Sequence, residues 1–138
     1  MNDSVIKGLS HIAIAINSLD EVENWVNLFS CDKKEYTSTE QGVNALVINA
    51  GFCDIEFLEP LDQSSSISGF LQKNPKGGIH HICFFVDDLE KSLAEVKSKG
   101  IRNITRKKVN GILHNSPIAF LNPKDLSNVL VEFEEITK

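Results

Sequence analysis

One strand-and-cap pattern occurs twice in this chain. Gly77-Gly78-Ile79-His80-His81-Ile82-Cys83-Phe84-Phe85-Val86 leads into Asp87-Asp88-Leu89-Glu90. Seventy positions earlier (78 − 8), Gly8-Leu9-Ser10-His11-Ile12-Ala13-Ile14-Ala15-Ile16 leads into Asn17-Ser18-Leu19-Asp20. Gly8 aligns with Gly78, His11 with His81, Ile12 with Ile82, Leu19 with Leu89 and Val26 with Val96. The offset is too long for a solenoid period of about 20–50 residues, so it reads as two copies of one module. Any fold must therefore be built twice, with a histidine at the same point of the same strand each time.

The first copy can be read element by element. Ser10 to Ile16 alternates with period two, the mark of a strand, with Ile12, Ile14 and Ile16 on the core face and His11, Ala13 and Ala15 on the other. Ser18 with Glu21 three residues on forms a capping box, which satisfies the first orphan amides of a helix reciprocally. Leu19, Val22, Trp25 or Val26, and Phe29 follow at helical spacing. Residues 35–41 and 43–49 read as strands with a bulge or bend at Gly42, and 53–59 alternates again. Cys53, Ile55 and Phe57 share one of its faces; Asp54, Glu56 and Leu58 share the other.

Residues 60–76 form a joint, polar at Gln63 to Ser66, with a short helix over 67–73 that stops before Pro75. The second copy then repeats the first. Ile82, Phe84 and Val86 make its core face, with His81, Cys83 and Phe85 opposite. Asp87 or Asp88 caps a helix carrying Leu89, Leu93 and Val96, which ends in basic residues and a terminal Gly100. Strands are expected over 101–109, 117–121 and 128–134, the last placing Leu130, Glu132 and Glu134 on one face. Strand, helix and three strands, taken twice, predict an α+β protein.

Composition narrows the partners. A net charge of −5 gives no global electrostatic reason to expect nucleic acid or an anionic membrane. No apolar run approaches the roughly 18 residues of a membrane span, and the first eight residues have no signal-peptide core. Cys31, Cys53 and Cys83 are unevenly spaced and lack a CxxC pair, which suits free thiols in the cytoplasm.

Chemistry concentrates on the non-core faces. His11 and Glu56 come from the first module and His81 and Glu132 from the second, 45 (56 − 11) and 51 (132 − 81) residues apart. Two imidazoles and two carboxylates suit a divalent first-row metal, with waters completing an octahedron. A lone strand histidine is more often only hydrogen-bonded, and a sheet glutamate is usually solvated; it is the recurrence in both modules that favours a metal. Arg102, Arg106, Lys107 and Lys108 are either donors to phosphates or a plain exposed basic loop. Cys83 either lines a pocket beside His81 or is an inert buried thiol.

The sequence resembles the vicinal oxygen chelate superfamily (glyoxalase I, extradiol dioxygenases, bleomycin-resistance proteins) and, within it, the methylmalonyl-CoA epimerases. The likeness is carried by Leu9-Ser10-His11-Ile12-Ala13-Ile14-Ala15, Glu40-Gln41-Gly42-Val43, Ile55-Glu56-Phe57-Leu58-Glu59-Pro60, Ile67-Ser68-Gly69-Phe70-Leu71, Gly78-Ile79-His80-His81-Ile82, Ala119-Phe120-Leu121-Asn122-Pro123-Lys124 and Val129-Leu130-Val131-Glu132. The resemblance implies a glyoxalase-like fold with tandem βαβββ modules, about 8–60 and 78–135, whose four-stranded sheets face a common cleft within a single domain spanning 1–138. It also implies that His11, Glu56, His81 and Glu132 are ligands of one metal ion (Co, Mn, Ni or Zn), and that homodimers are frequent.

The activity implied is epimerisation of a short 2-acyl-CoA thioester by α-proton abstraction, methylmalonyl-CoA being the expected substrate. Glu132 is the first candidate for a ligand that also acts on the proton. Some relatives carry an acid where Ala45 stands here, which leaves Glu40 as the nearest acid for the second base. The same ligand set would serve a glyoxalase I-like lyase acting on a glutathione hemithioacetal, and a non-catalytic binding protein would keep the fold alone. Three departures from the family bear on the substrate: Asn122 in place of a common His, Ser127-Asn128 in place of a Gly pair, and the region 25–38. Small Ala13 and Ala15 are expected to leave room for the acyl group beside His11.

Overall fold

The computed structural model describes residues 4–136 and resolves two compact units, one of His11–His80 and one joining the residues through Ser10 to the chain from His81 onward. The unit boundaries fall at the two histidines.

In the first unit the strand order is β2-β3-β4-β1. Strand β1 (Ile6–Ala15) runs parallel to β4 (Asp54–Pro60), with Ala13 opposite Glu56. Strands β2 (Lys33–Ser38) and β3 (Val43–Asn49) form an antiparallel hairpin, and β3 pairs antiparallel with β4. A 3-10 turn over Leu19–Val22 continues as helix α1 (Glu23–Phe29). Its apolar side closes over Ile16, Leu46, Ile48, Ile55 and Phe57, with Leu19, Val26 and Phe29 at the margin. Each fully buried Ile or Phe there is worth about 1.5–3 kcal/mol in removal from water. The expected capping box is shifted by one residue. Ser18 accepts the Asp20 N–H at 3.2 Å, while Glu21 accepts from Asn17 at 3.2 Å, one residue before the cap.

Helix α2 (Ser66–Lys73) follows, with Ser65 accepting the Ile67 N–H at its start. The return to β5 requires glycine. Gly77 has φ +81°, and a Cβ there would lie 2.4 Å from the Ala15 carbonyl oxygen.

The second unit repeats the plan in the order β5-β8-β7-β6. Strand β5 (Gly78–Val86) runs parallel to β8 (Val131–Glu135), with Cys83 opposite Glu132. Strand β7 (Pro117–Leu121) pairs antiparallel with β8 and with the short β6 (Val109–Asn110). Helix α3 (Leu89–Ser98) is capped by Asp88, which accepts the Lys91 N–H at 3.0 Å. It ends in a Schellman motif: Gly100 at φ +90° donates to Lys97 O, and Ile101 donates to Val96 O. Val86, Leu89, Val96, Ala119, Leu121 and Phe133 make its core.

The parallel registers are the same in both units. Ala13 aligns with Cys83 in the repeat, and each faces its unit's glutamate across the parallel pair.

Two expectations need correction. The strand expected over 101–109 shrinks to β6 and one bridge, Asn103 to Leu121. The Thr105 hydroxyl takes the Phe120 N–H at 2.7 Å, so a side chain occupies a rung that a ladder would have used. The last strand starts at Val131 rather than at 128, because Ser127 (φ +58°) and Asn128 (φ +66°) are left-handed and close a turn. Glycine is the natural occupant of such backbone.

Candidate functional site

The site is built from the strand faces that carry the histidines. Along those faces Ala13, Ala15 and Cys83 have no exposed surface. The two alanines therefore do not leave open room beside His11, and the space next to their methyls is filled.

In the first unit His11 Nδ1 stands 3.3 Å from Glu56 Oε2, and both side chains are buried. In the second, His81 Nε2 stands 2.9 Å from Glu132 Oε1, equally buried. The parallel register explains both meetings. Glu56 lies across from Ala13 and Glu132 across from Cys83, each two residues beyond its histidine on the same face, so side chains meet diagonally across adjacent strands. Burying a carboxylate is costly unless it is paired, and each unit supplies the partner. The Phe120 ring packs edge-on against His81 at 5.3 Å and helps to fix its plane.

The donor chemistry fits a divalent ion. Each unit offers one imidazole nitrogen and one carboxylate oxygen, held out of water and close together. Nitrogen and oxygen donors of this kind suit Zn, Co, Ni and Mn.

The other expected residues fall as follows. Glu40 is exposed in the turn between β2 and β3. Val43, three residues past it, pairs with Pro60, four residues along β4 from Glu56, or about 13 Å. The fold thus does not bring Glu40 to the His11–Glu56 pair. Ala45 is fully buried. Arg102 is committed to Asp125 through a two-pronged contact at 3.0 and 3.1 Å, which holds the Asp125 carboxyl below its ordinary range. Arg106, Lys107 and Lys108 remain exposed. Burial pushes the Cys53 thiol up, with the Asp54 charge adding to the effect, which suits an inert thiol.

Sequence reasoning missed two further features. The first is a duplicated carboxylate at the helix starts: Glu59 accepts the Leu19 N–H at 2.8 Å, and Glu135 accepts the Leu89 N–H at 2.9 Å. Each lies three residues past its unit's buried glutamate, so the repeat itself carried the signal. The second is Glu134, which is 2% exposed. It accepts the Ser10 hydroxyl at 2.6 Å and lies 3.0 Å from His114 Nδ1.

Comparison with known proteins agrees with the two-copy fold. Residues 10–120 match the glyoxalase/bleomycin resistance protein/dioxygenase superfamily. The mitochondrial methylmalonyl-CoA epimerase of Homo sapiens is 39% identical over 129 residues, covering 92% of this chain and 73% of the human one. A crystal structure of methylmalonyl-CoA epimerase from Mycobacterium tuberculosis superposes with a TM-score of 0.89 at 30% identity, over 100% of this chain and 93% of that one. A variant of the Streptomyces coelicolor methylmalonyl-CoA epimerase in complex with 2-nitronate-propionyl-CoA gives 0.84 at 31% identity, over 96% and 99%. With its α+β glyoxalase fold, its repeated register and these relatives, the chain belongs to the glyoxalase/bleomycin resistance protein/dioxygenase superfamily.

Proposed function

We propose that this chain is a metal-dependent methylmalonyl-CoA epimerase, an isomerase that removes and returns the proton on the carbon between thioester and carboxylate. One observation carries the reading. A buried His–Glu pair recurs at one register in each unit of a chain whose human relative, matched over 92% of this chain, is a methylmalonyl-CoA epimerase. His11, Glu56, His81 and Glu132 would together hold the ion, with Co, Mn, Ni or Zn all suited to the donors. When bound, it would supply a Lewis acid for the negative charge that develops on oxygen.

The remaining work falls to side chains. Glu132 is the proton-transfer group on one side of the α-carbon, held in position by His81 and shielded from water. The C–H electron pair passes into the thioester carbonyl as the proton leaves, and reprotonation on the opposite side inverts the centre. The exposed Arg106, Lys107 and Lys108 suit the phosphates of CoA. The same proposal takes the two units as one functional domain, acting as a homodimer in the cytoplasm. Three free thiols favour a reducing compartment. Among the described residues, no helix is long and apolar enough to cross a membrane.

The test is proton NMR of methylmalonyl-CoA in deuterated buffer with metal-loaded protein. Loss of the α-proton signal, with collapse of the methyl doublet, is expected. An unchanged spectrum, or turnover of a glutathione hemithioacetal instead, would overturn the reading.

A further inference from the structure

An epimerase that inverts a centre with two groups needs a second proton carrier, and the expected positions do not supply it. Ala45 has no acid, and Glu40 sits on an exposed turn away from the buried pair. The second unit holds an arrangement that neither the fold nor the metal ligands require. Glu134 lies two residues past Glu132 on the same face of β8, about 7 Å along the strand, and Phe85 faces it across the parallel register. Both its carboxylate oxygens are engaged: Oε1 by the Ser10 hydroxyl and Oε2 by His114 Nδ1.

His114 is placed, not incidental. Its loop folds back on itself, with Gly111 N–H donating to Ser116 O at 2.8 Å and Asn110 Nδ2 to Asn115 Oδ1 at 3.2 Å. Gly111 makes way for the carboxylate, since a Cβ there would sit 3.1 Å from Glu134 Oε2. Phe85 packs against the imidazole at 5.9 Å. A carboxylate only accepts, so Nδ1 is the nitrogen that donates to Glu134, and Nε2 is the ring nitrogen left over for a proton acceptor's role. The His114 side chain is 33% exposed, against 2% for Glu134. Among the described residues Nε2 has no hydrogen-bond partner. A buried carboxylate fixing one ring nitrogen while the other stays available is how imidazoles are prepared for proton transfer.

We infer that His114, oriented by Glu134, is the second proton-transfer group, serving the epimer whose α-hydrogen points away from Glu132; this rests on the epimerase reading. In that direction the α-proton moves to Nε2 and the C–H pair enters the thioester carbonyl. The Glu132 carboxyl then returns a proton to the opposite side. One forward turnover moves a proton from Glu132 to His114. The reverse direction starts from that state with the roles exchanged, and proton exchange with solvent resets the pair for another forward turnover.

The experiment uses His114→Asn, whose amide nitrogen can replace Nδ1 in the Glu134 contact while Nε2 is lost. Each epimer of methylmalonyl-CoA is incubated separately with metal-loaded enzyme in deuterated buffer, and the α-position is followed by NMR. Wild type should exchange both. The variant should still exchange one epimer, without inverting it, while exchange of the other falls at least ~100-fold, as for loss of a proton-transfer group. Calorimetry should show 2-nitronate-propionyl-CoA binding within about three-fold of wild type. Glu134→Gln should slow the same epimer selectively, by a smaller factor. Equal exchange of both epimers, or an equal loss for both, would overturn the inference. Failure of wild type to exchange either epimer would instead remove the epimerase reading itself.

Discussion

In the first unit the residue two places beyond the buried glutamate is Leu58; in the second it is Glu134. Around this difference the copies agree closely. Each has a histidine against a glutamate, the same parallel register, and a carboxylate three residues on that accepts the first helix amide. Leu58 is 4% exposed and shows that the duplicated strand is satisfied by an apolar side chain at this position. The second unit places a carboxylate there and surrounds it with Ser10, His114 and a glycine at position 111. Shared features in a duplicated fold report what the fold and the common site need, and the departures report where the copies took separate tasks.

Swapping the two residues should break this comparison most sharply. Leu58→Glu buries a carboxylate where the first unit offers no built partner, with an expected loss of more than about 3 kcal/mol in chemical denaturation. Glu134→Leu should cost only about 1–3 kcal/mol, from the unsatisfied groups it leaves. Equal losses would mean that Glu134 has no tailored surroundings.

A second contrast concerns the glutamates of the two pairs. Glu132→Gln should reduce α-proton exchange at least ~100-fold and weaken metal retention in equilibrium dialysis. Glu56→Gln, which keeps an oxygen donor of the same shape, should stay within about ten-fold of wild type in exchange. Comparable losses would show that the two pairs divide the work evenly.

The helix-start carboxylates should behave alike. Glu59→Gln and Glu135→Gln each remove a charge from a helix N-terminus, for an expected ~0.3–1 kcal/mol apiece. A clear inequality between them in thermal melts would expose a second role for one.

The smallest effect is expected at the turns before β4 and β8. Gly51 in the first unit adopts φ +94°, whereas its counterpart Ser127 holds φ +58° with a side chain. Ser127→Gly should relieve left-handed strain and stabilise by about 0.5 kcal/mol, the gain being offset in part by the freer unfolded chain.

Much of this was legible in the sequence because it is local or repeated. The bounds of β3 and β7 follow directly from alternation; the two histidines recur at the 70-position offset, and the two buried glutamates recur at 76 (132 − 56), each on the last strand of its copy. What escaped depends on tertiary closure. His114 reads as an uninformative loop residue until the chain brings it to Glu134, twenty residues on. The strand expected over 101–109 has the right residues, but the Thr105 hydroxyl competes for its rung. The pairing of β1 with β4 bridges forty-three residues, so alternation reveals the face of each glutamate but not its partner. At the 76-position offset of the last strands (134 − 58), the sequence itself sets Glu134 against Leu58.

The Ser10 to Glu134 hydrogen bond spans 124 residues and also bears on how the chain is made. During synthesis at about 5–20 residues per second, Ser10 waits roughly 6–25 s before its partner is added. The segment leading to Ser10 groups with the late-made unit, so it must stay unpaired while His11–His80 is already free to form its own sheet. Translation should therefore yield one settled unit trailing an unfinished strand, and slowing the ribosome near the end of the message should lengthen that exposed interval.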